Sequence, residues 1–177
     1  MHQVNDERLT DGLRAFNTSG LLKRYALGDR DFTASQLNGA ELPGINLSGA
    51  ILASSHLQEA QLQGADLRGA DVSFAKLHRA NLYKADLRGA NLSFGFLNHA
   101  ELNHALLTGS LLLSADLRDA ALCRANLSNA DLRRTDLRGA DLDQANVENA
   151  RFGNNIGLSE AMKSDLAARG AIFEQLP

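Results

Sequence analysis

The stretch QGADLRGADV, residues 63–72, contains the five-residue unit Ala-[Asp/Asn]-Leu-x-x twice in ten residues. Every fifth residue from Phe32 to Phe152 is leucine, phenylalanine or valine at all 25 positions, without an insertion or a slip. In an α-helix such residues would step about 140° around the axis. In a flat strand they would alternate between the two faces. Neither regular element can therefore bury this pattern on one side.

A chain that turns a corner every five residues can bury it, because each short side then directs its central apolar residue toward a common axis. Four sides make a turn of about 20 residues, and stacked turns pair their backbones as a parallel β-solenoid. The 25 units predict a little over six coils. At a strand spacing of about 4.8 Å, this is a rod of roughly 30 Å. The predicted fold class is an all-β solenoid of about six coils.

A second inward position lies two residues before each central residue, and alanine occupies it in 18 of the 25 units. Small side chains suit this position because the corners of a narrow interior leave room for little more than a methyl group. Ile45 is the bulky exception inside the run, and we expect the backbone to bulge there.

The position two residues after each central residue carries eight glycines, which indicates a tight turn. In a type II turn the third residue has a positive φ, and glycine adopts it without strain. Phe74, Arg79, Lys84 and Phe94 occupy the same position, so we expect a different turn type at those four corners.

With the motif defined, residues 30–154 resemble the pentapeptide-repeat family, whose units read A-[D/N]-L-x-x. The flanking segments SGLLKRYALGDRDF and NNIGLSEAMKSDLAARGAIF are similar to the leader and tail of soluble members that are abundant in cyanobacteria. The resemblance implies a right-handed quadrilateral parallel β-helix with short α-helical caps. It implies no particular activity.

The chain is therefore predicted to have three parts: an N-terminal helical leader or cap at 1–29, the β-helix at 30–154, and a C-terminal helical cap at 155–177. An open solenoid end exposes both apolar interior and unpaired strand edge, which is why caps are expected. The segment 1–18 has two interpretations, part of a lid or a partner-binding arm.

Local signals place the helices within these end segments. Ser19 is a candidate N-cap for a helix that Gly28 ends, and Ser159 is a candidate N-cap for a helix that Gly170 ends. Residues 6–16 carry apolar side chains at helical spacing and are a weaker helix candidate.

Composition limits the partners. The 177 residues include 18 basic and 21 acidic side chains, a net charge of −3, without the cationic excess typical of nucleic-acid binding. Cys123 is the single cysteine, so no intrachain disulfide or Cys-x-x-Cys metal site is possible. No stretch approaches 18 apolar residues, and the N-terminus has no apolar signal region. We expect a cytoplasmic protein that binds neither nucleic acid nor membrane.

The pattern contains no recognisable catalytic or metal site. Residues 20 apart share a column, and no column places two histidines together or gathers three ligands around one. The aspartates before the central leucines lie on a convex rod, without the concave pocket that acid–base catalysis needs. We therefore expect no catalytic, cofactor-binding or metal-binding residue, no cofactor and no small-molecule substrate.

The outward positions carry a cluster of apolar side chains, which has two interpretations. A contiguous exposed apolar patch marks an interface, but the corner phenylalanines could also fold over neighbouring corners. On the first interpretation the protein is a non-enzymatic interaction scaffold for a protein partner or for a homodimer. The candidate interface residues are Ile51, Phe74, Phe94, Phe96, Leu106, Leu111 and Leu113.

The family resemblance implies an alternative, because some members bind DNA gyrase as mimics of DNA. Mimicry requires a strongly anionic rod. Residues 30–154 hold 14 acidic and 12 basic residues, a net charge of only −2, and the five-residue register is never interrupted by a loop. The scaffold is the favoured prediction.

Overall fold

The computed structural model describes residues 18–174 of the chain. Its elements are α1 at Thr18–Ala26, β1 at Arg151–Phe152, α2 at Glu160–Ala168 and β2 at Ile172–Phe173. Between α1 and β1 the backbone forms isolated parallel bridges, each of which joins two residues 20 apart. One turn of the coil therefore consists of four five-residue units, as the sequence period predicts.

Hydrogen bonds between successive coils hold this backbone together. On one side of a coil the N–H of Leu87 donates to the carbonyl of Leu106 at 2.7 Å, and at the following corner the N–H of Gly89 donates to the carbonyl of Thr108 at 3.0 Å. Because each side is only a few residues long, the pairing appears as single bridges. The backbone N–H and C=O groups inside the coil nevertheless find hydrogen-bond partners in the neighbouring coils.

The central residues of all 25 units are buried, and the most exposed of them, Leu142, is 6% exposed. This confirms the inward register predicted from the sequence. The space left along the leucine shaft between Leu47 and Leu92 has a volume of about 10 Å³. A single water molecule needs at least that much room, so this part of the shaft has no space for a ligand.

The non-alanine residues at the small inward position are also accommodated. The buried hydroxyl of Ser110 donates to the carbonyl of Leu107 at 2.8 Å. At Ile45 the N–H donates to Leu42 and the carbonyl accepts from Asp66, at 3.2 and 2.8 Å, so the predicted bulge is wrong. Ile45 belongs to the first coil, and the preceding residue of its column, Tyr25, is part of α1. No complete coil lies below Ile45 to force the backbone outward.

The corners from residue 30 to residue 154 share one backbone feature. The corner residue has a positive φ in all 25 units, at 17 non-glycine residues as well as at the eight glycines. Phe74, Arg79, Lys84 and Phe94 have φ values of 56, 55, 57 and 59°, so the expectation of a different turn there is wrong.

The coil-to-coil ladder explains why these corners do not adapt to their side chains. The N–H of Phe74 donates to Ser93 in the next coil at 3.1 Å, and the N–H of Ala75 closes the turn on Val72 at 3.3 Å. A different turn at this corner would break these two hydrogen bonds. The chain therefore accepts a local strain of about 1–2 kcal/mol at each non-glycine corner.

Ser19, the predicted N-cap, lies inside α1, so that prediction is wrong. Gly28 follows the helix with a φ of 93°, in agreement with its predicted role as the end of the helix. The weaker helix predicted over residues 6–16 lies outside the described residues.

Side chains of α1 contact the first coil. Leu21 is fully buried in the apolar core. The Tyr25 hydroxyl donates to the carbonyl of Ser48 at 2.9 Å. The guanidinium of Arg30 lies 3.9 Å from the centre of the Tyr25 ring. These contacts join the helix to the solenoid through both apolar packing and polar bonds.

Helix α2 begins as the sequence predicts. The Ser159 side chain accepts a hydrogen bond from the N–H of Met162 at 3.2 Å, and Gly170 follows the helix with a φ of 91°. Leu166 is 1% exposed and packs against the core. Strand β2 pairs in parallel with β1, and the rings of Phe152 and Phe173 stack with centroids 5.3 Å apart.

Candidate protein-interaction surface

The coil presents four faces to its surroundings. We call them the first face (residues 31–33), the second face (36–38), the third face (41–43) and the fourth face (46–48), each with the residues that follow at intervals of 20. The residues before and after each buried central residue point outward, and the positive-φ corner residue lies between two faces.

The structure distributes the seven candidate interface residues over three faces. Phe74 and Phe94 occupy the corner between the first and second faces, and Phe96 follows directly on the second face. Leu113 lies on the first face, where its carbonyl accepts the N–H of Phe94 at 2.9 Å. We call these four residues the apolar corner.

The other three candidates are less closely grouped. Leu111 shares the first face with the apolar corner. Ile51 is on the same face but is separated from Leu111 by Asp71 and Asn91 in the bridge column. Leu106 lies on the fourth face, away from the corner between the first and second faces.

The apolar corner contains a regular aromatic stack. The rings of Phe74 and Phe94 have centroids 4.9 Å apart and planes only 6° apart. Their identical backbone conformation directs both rings the same way, and the strand spacing of about 4.8 Å sets the distance between them. Although these two rings stack, Phe74 is still 52% exposed and Phe94 43% exposed. The neighbouring Phe96 is 48% exposed.

Aspartate–arginine pairs lie on the second face and recur on other faces. On the second face Asp116 pairs with Arg118 at 2.7 Å and Asp136 with Arg138 at 2.5 Å. In each pair the aspartate lies before a central leucine and the arginine after it. The hydrogen bond from the Arg118 side chain holds the pKa of Asp116 below its ordinary value. These carboxylates are therefore charged hydrogen-bond acceptors, without the raised pKa of a general acid.

His78 and His99 contact the residues 20 positions later in the next coil, as the spacing of the columns predicts. A ring nitrogen of His78 lies 2.7 Å from the Asn98 amide, and His99 lies 3.8 Å from the Asp119 carboxylate. Within residues 18–174 no three His, Cys, Asp or Glu side chains are grouped closely enough to hold a metal ion.

Two open clefts flank α2, although the sequence predicts a convex rod without a concave pocket. One of about 590 Å³ lies between the last coil and α2, where the Arg169 side chain donates to the carbonyls of Leu142 and Ala145. The other, of about 850 Å³, includes Phe173 and Glu174. Both clefts arise because α2 folds back over the end of the coil, an arrangement that no local motif encodes.

A 20-residue coil with a filled apolar interior and polar outer columns defines a parallel β-helix of the repeat class. The sequence profile of pentapeptide repeats matches the chain in 8 copies, over residues 31–69, 55–93, 85–116, 97–129 and 115–154. Together these stretches cover more than two thirds of the chain. The chain belongs to the pentapeptide-repeat family, as the sequence resemblance predicted, and the family's fold is the right-handed quadrilateral β-helix.

Solved structures of the family are similar to this chain. The pentapeptide repeat protein Rfr23 from the cyanobacterium Cyanothece 51142 is 26% identical over 79% of this chain and 99% of its own, with a TM-score of 0.50. The pentapeptide repeat protein alr5209 from Nostoc Pcc 7120 is 28% identical over 89% of this chain and 96% of its own, with a TM-score of 0.39.

A further similar structure is that of QnrB1, a plasmid-mediated fluoroquinolone resistance protein. It is 22% identical over 81% of this chain and 77% of its own, with a TM-score of 0.43. No curated protein sequence is significantly similar to this chain. In the part of the chain that the structure describes, neither helix is long and apolar enough to span a bilayer. The cytoplasmic location stays a prediction.

Proposed function

We propose that this protein is a non-enzymatic interaction scaffold that presents outward side chains of a rigid coil to a protein partner or to a second copy of itself. The observation that carries the proposal is the apolar corner, where three phenylalanines lie close together and remain about half exposed. Aromatic side chains are enriched at the centres of protein interfaces, and removing them from water on binding is favourable.

The backbone beneath the apolar corner supports this proposal because it is fixed before a partner binds. The N–H groups of Phe74 and Phe94 both donate to the next coil, and Phe96 belongs to a continuous bridge column with Lys76 and Asp116. A partner would therefore meet side chains already held in place. Such a surface loses little conformational entropy on association.

The finer architecture is part of the proposal. We infer that residues 30–154 form about six coils, that the described parts of the end segments 1–29 and 155–177 cover the two ends, and that the lateral faces are left for binding. The 20-residue spacing of the bridges and the burial of Leu21 and Leu166 support this arrangement.

The proposal assigns no catalytic residue, cofactor, metal ion or small-molecule substrate to the protein. The filled leucine shaft and the ion pairs of the surface aspartates with arginines support it. The outer side chains then act by contact alone.

Affinity capture with matched variants tests the proposal. The tagged chain is incubated with lysate of its native host, alongside the variants Phe94→Asp/Leu111→Asp and Tyr83→Asp. Tyr83 is an exposed aromatic on the third face, away from the apolar corner. We expect the double variant to lose the captured protein and Tyr83→Asp to retain it, with unchanged circular dichroism for both. Equal capture by the wild type and the double variant would remove the apolar corner from the proposal.

The alternative, a DNA mimic that binds gyrase, has less support. Its anionic charge would have to face the partner, but Asp66 and Asp86 on the fourth face pair with Arg68 and Arg88, both at 2.6 Å. Supercoiling by purified gyrase provides the test, and inhibition at stoichiometric protein would favour the alternative.

A further inference from the structure

We propose that the partner of the second face is a second copy of this chain, which lies antiparallel with Phe96 at the two-fold axis. This inference rests on the proposed interaction function and identifies one partner for it.

The first support is the central column of the second face. Parallel bridges place Lys76, Phe96 and Asp116 in consecutive coils. Consider a two-fold axis that passes through Phe96, in the plane of the interface and perpendicular to the coil axis. It places the coil before Phe96 in one copy opposite the coil after Phe96 in the other copy. Phe96 then meets Phe96, and Lys76 of each copy meets Asp116 of the other.

The adjacent corner column repeats the same charge pattern. Arg79, His99 and Asp119 occupy this column in the same three coils. The same axis places Arg79 of each copy opposite Asp119 of the other. The Asp119 side chain is 56% exposed, whereas Asp116 is already held by Arg118 at 2.7 Å. The Arg79–Asp119 pair therefore contributes more to recognition than the Lys76–Asp116 pair.

The rest of the face is compatible with this pairing. Among the described residues of the second face and of its corner with the third face, the operation brings no two side chains of like formal charge together. The remaining opposed pairs that include a charged residue are His56 with Asp136, Gln58 with Arg138, His78 with Arg118, and Glu59 with Gly139.

The third face does not share this property. An axis at His104, in the corner column of the third face, would place Lys84 opposite Arg124, two like charges. Like charges placed together at an interface oppose association, so the charge pattern disfavours this axis on the third face.

The size of the face predicts the strength of the contact. Six coils at about 4.8 Å and sides of about five residues give a face of roughly 30 Å by 16 Å. This corresponds to about 500 Å² per copy, below the roughly 800 Å² of a standard interface. The dimer is therefore weak and forms at micromolar or higher protein concentration. The aromatic rings near the axis supply its apolar centre.

A charge-swap experiment tests the pairing. Sedimentation equilibrium measures the dimer dissociation constant of the wild type, Arg79→Glu, Asp119→Lys and an equimolar mixture of these two variants. Glu59 and Lys84 already occupy positive-φ corners, so the coil tolerates both new side chains. Glu59→Lys is the matched control, because Glu59 faces Gly139 in the proposed dimer. Circular dichroism checks that each variant is folded.

We expect each variant alone to dimerise at least tenfold more weakly, because two like-charge contacts form in each dimer. The mixture should recover dimerisation, since the new carboxylate at position 79 of one chain then meets the new ammonium group at position 119 of the other. Glu59→Lys should resemble the wild type.

A wild type that stays monomeric at several hundred micromolar, or a mixture that fails to recover, would overturn the inference. Capture of another protein that still depends on Phe94 and Leu111 would then leave the scaffold proposal standing. If dimerisation fails and no captured protein depends on Phe94 and Leu111, both the dimer inference and the scaffold proposal fail.

Discussion

Phe74 and Phe94 lie one coil apart and stack in nearly parallel planes, with ring centroids 4.9 Å apart. The two rings share a position in successive units, and each follows a backbone with positive φ. Their stacking is therefore a direct result of the coil repeat. It turns two exposed apolar side chains into one ordered surface.

The stack is expected to stabilise the fold measurably. We predict that the effects of Phe74→Ala and Phe94→Ala on the free energy of unfolding are coupled by about 0.5–1.5 kcal/mol in a double-mutant cycle. Either substitution alone already removes the stacking contact. Urea unfolding of the four proteins measures the coupling. Additive effects of the two substitutions would show that the rings do not interact.

Neighbouring leucines provide a test of the inward register. Leu107 is fully buried, whereas Leu106 beside it is 38% exposed. We expect Leu107→Ala to lower the free energy of unfolding by about 2–5 kcal/mol through lost burial and a new cavity. Leu106→Ala should lower it by less than about 1 kcal/mol. Similar losses for the two variants in urea unfolding would contradict the register.

The corners predict opposite effects for two substitutions. Gly64 has a φ of 64° and an added Cβ would meet no atom within 4 Å, so only backbone strain opposes a side chain there. We expect Gly64→Ala to lower the free energy of unfolding by about 1 kcal/mol. Ser54 has a φ of 58°, and Ser54→Gly should raise it by about 0.5 kcal/mol, since relief of strain exceeds the added chain entropy. Thermal and urea unfolding measure both changes, and a stabilised Gly64→Ala would refute the strain at these corners.

Asp131 is expected to make the stability depend on pH. Hydrogen bonds from Arg133, together with the charge of Arg151, hold the pKa of Asp131 below its ordinary value of 3.8. Since the folded pKa is the lower one, the stabilisation is present above pH 3.8 and is lost as the pH falls through the folded pKa.

Asp131→Asn should therefore lower the free energy of unfolding at pH 7 by about 1–2 kcal/mol and reduce its fall in acid. Unfolding in urea between pH 2 and pH 7 measures both effects. An unchanged profile for Asp131→Asn would show that this pair does not stabilise the fold.

Most of the fold followed from the sequence because the pattern and the packing have the same period. The apolar residue at every fifth position, from Phe32 to Phe152, predicted both the 20-residue coil and the buried shaft. Ser159 and Gly170 predicted the ends of α2, because capping depends on a few adjacent residues. The columns of the histidines also followed, since the length of one coil fixes them.

The corner conformations did not follow, because they depend on the whole ladder. Phe74 and Lys84 disfavour a positive φ locally, but the hydrogen bonds to the next coil impose it. Among the candidate interface residues, the sequence placed Leu106 with Leu111, although a corner separates their faces. The sequence interpretation also missed that Arg79 and Asp119 carry opposite charges on either side of His99 in one corner column. A search for opposite charges two coils apart, on either side of a common centre, would have found it.

The molar mass in solution tests the account most directly. At several hundred micromolar, we predict that the wild type and Leu111→Asp rise from 19.0 kDa toward twice that mass, because Leu111 lies on the first face. Phe96→Asp, with its charge at the proposed two-fold axis, should stay at the monomer mass while it keeps the wild-type circular dichroism. A Phe96→Asp variant that dimerises as strongly as the wild type would contradict contact through the second face.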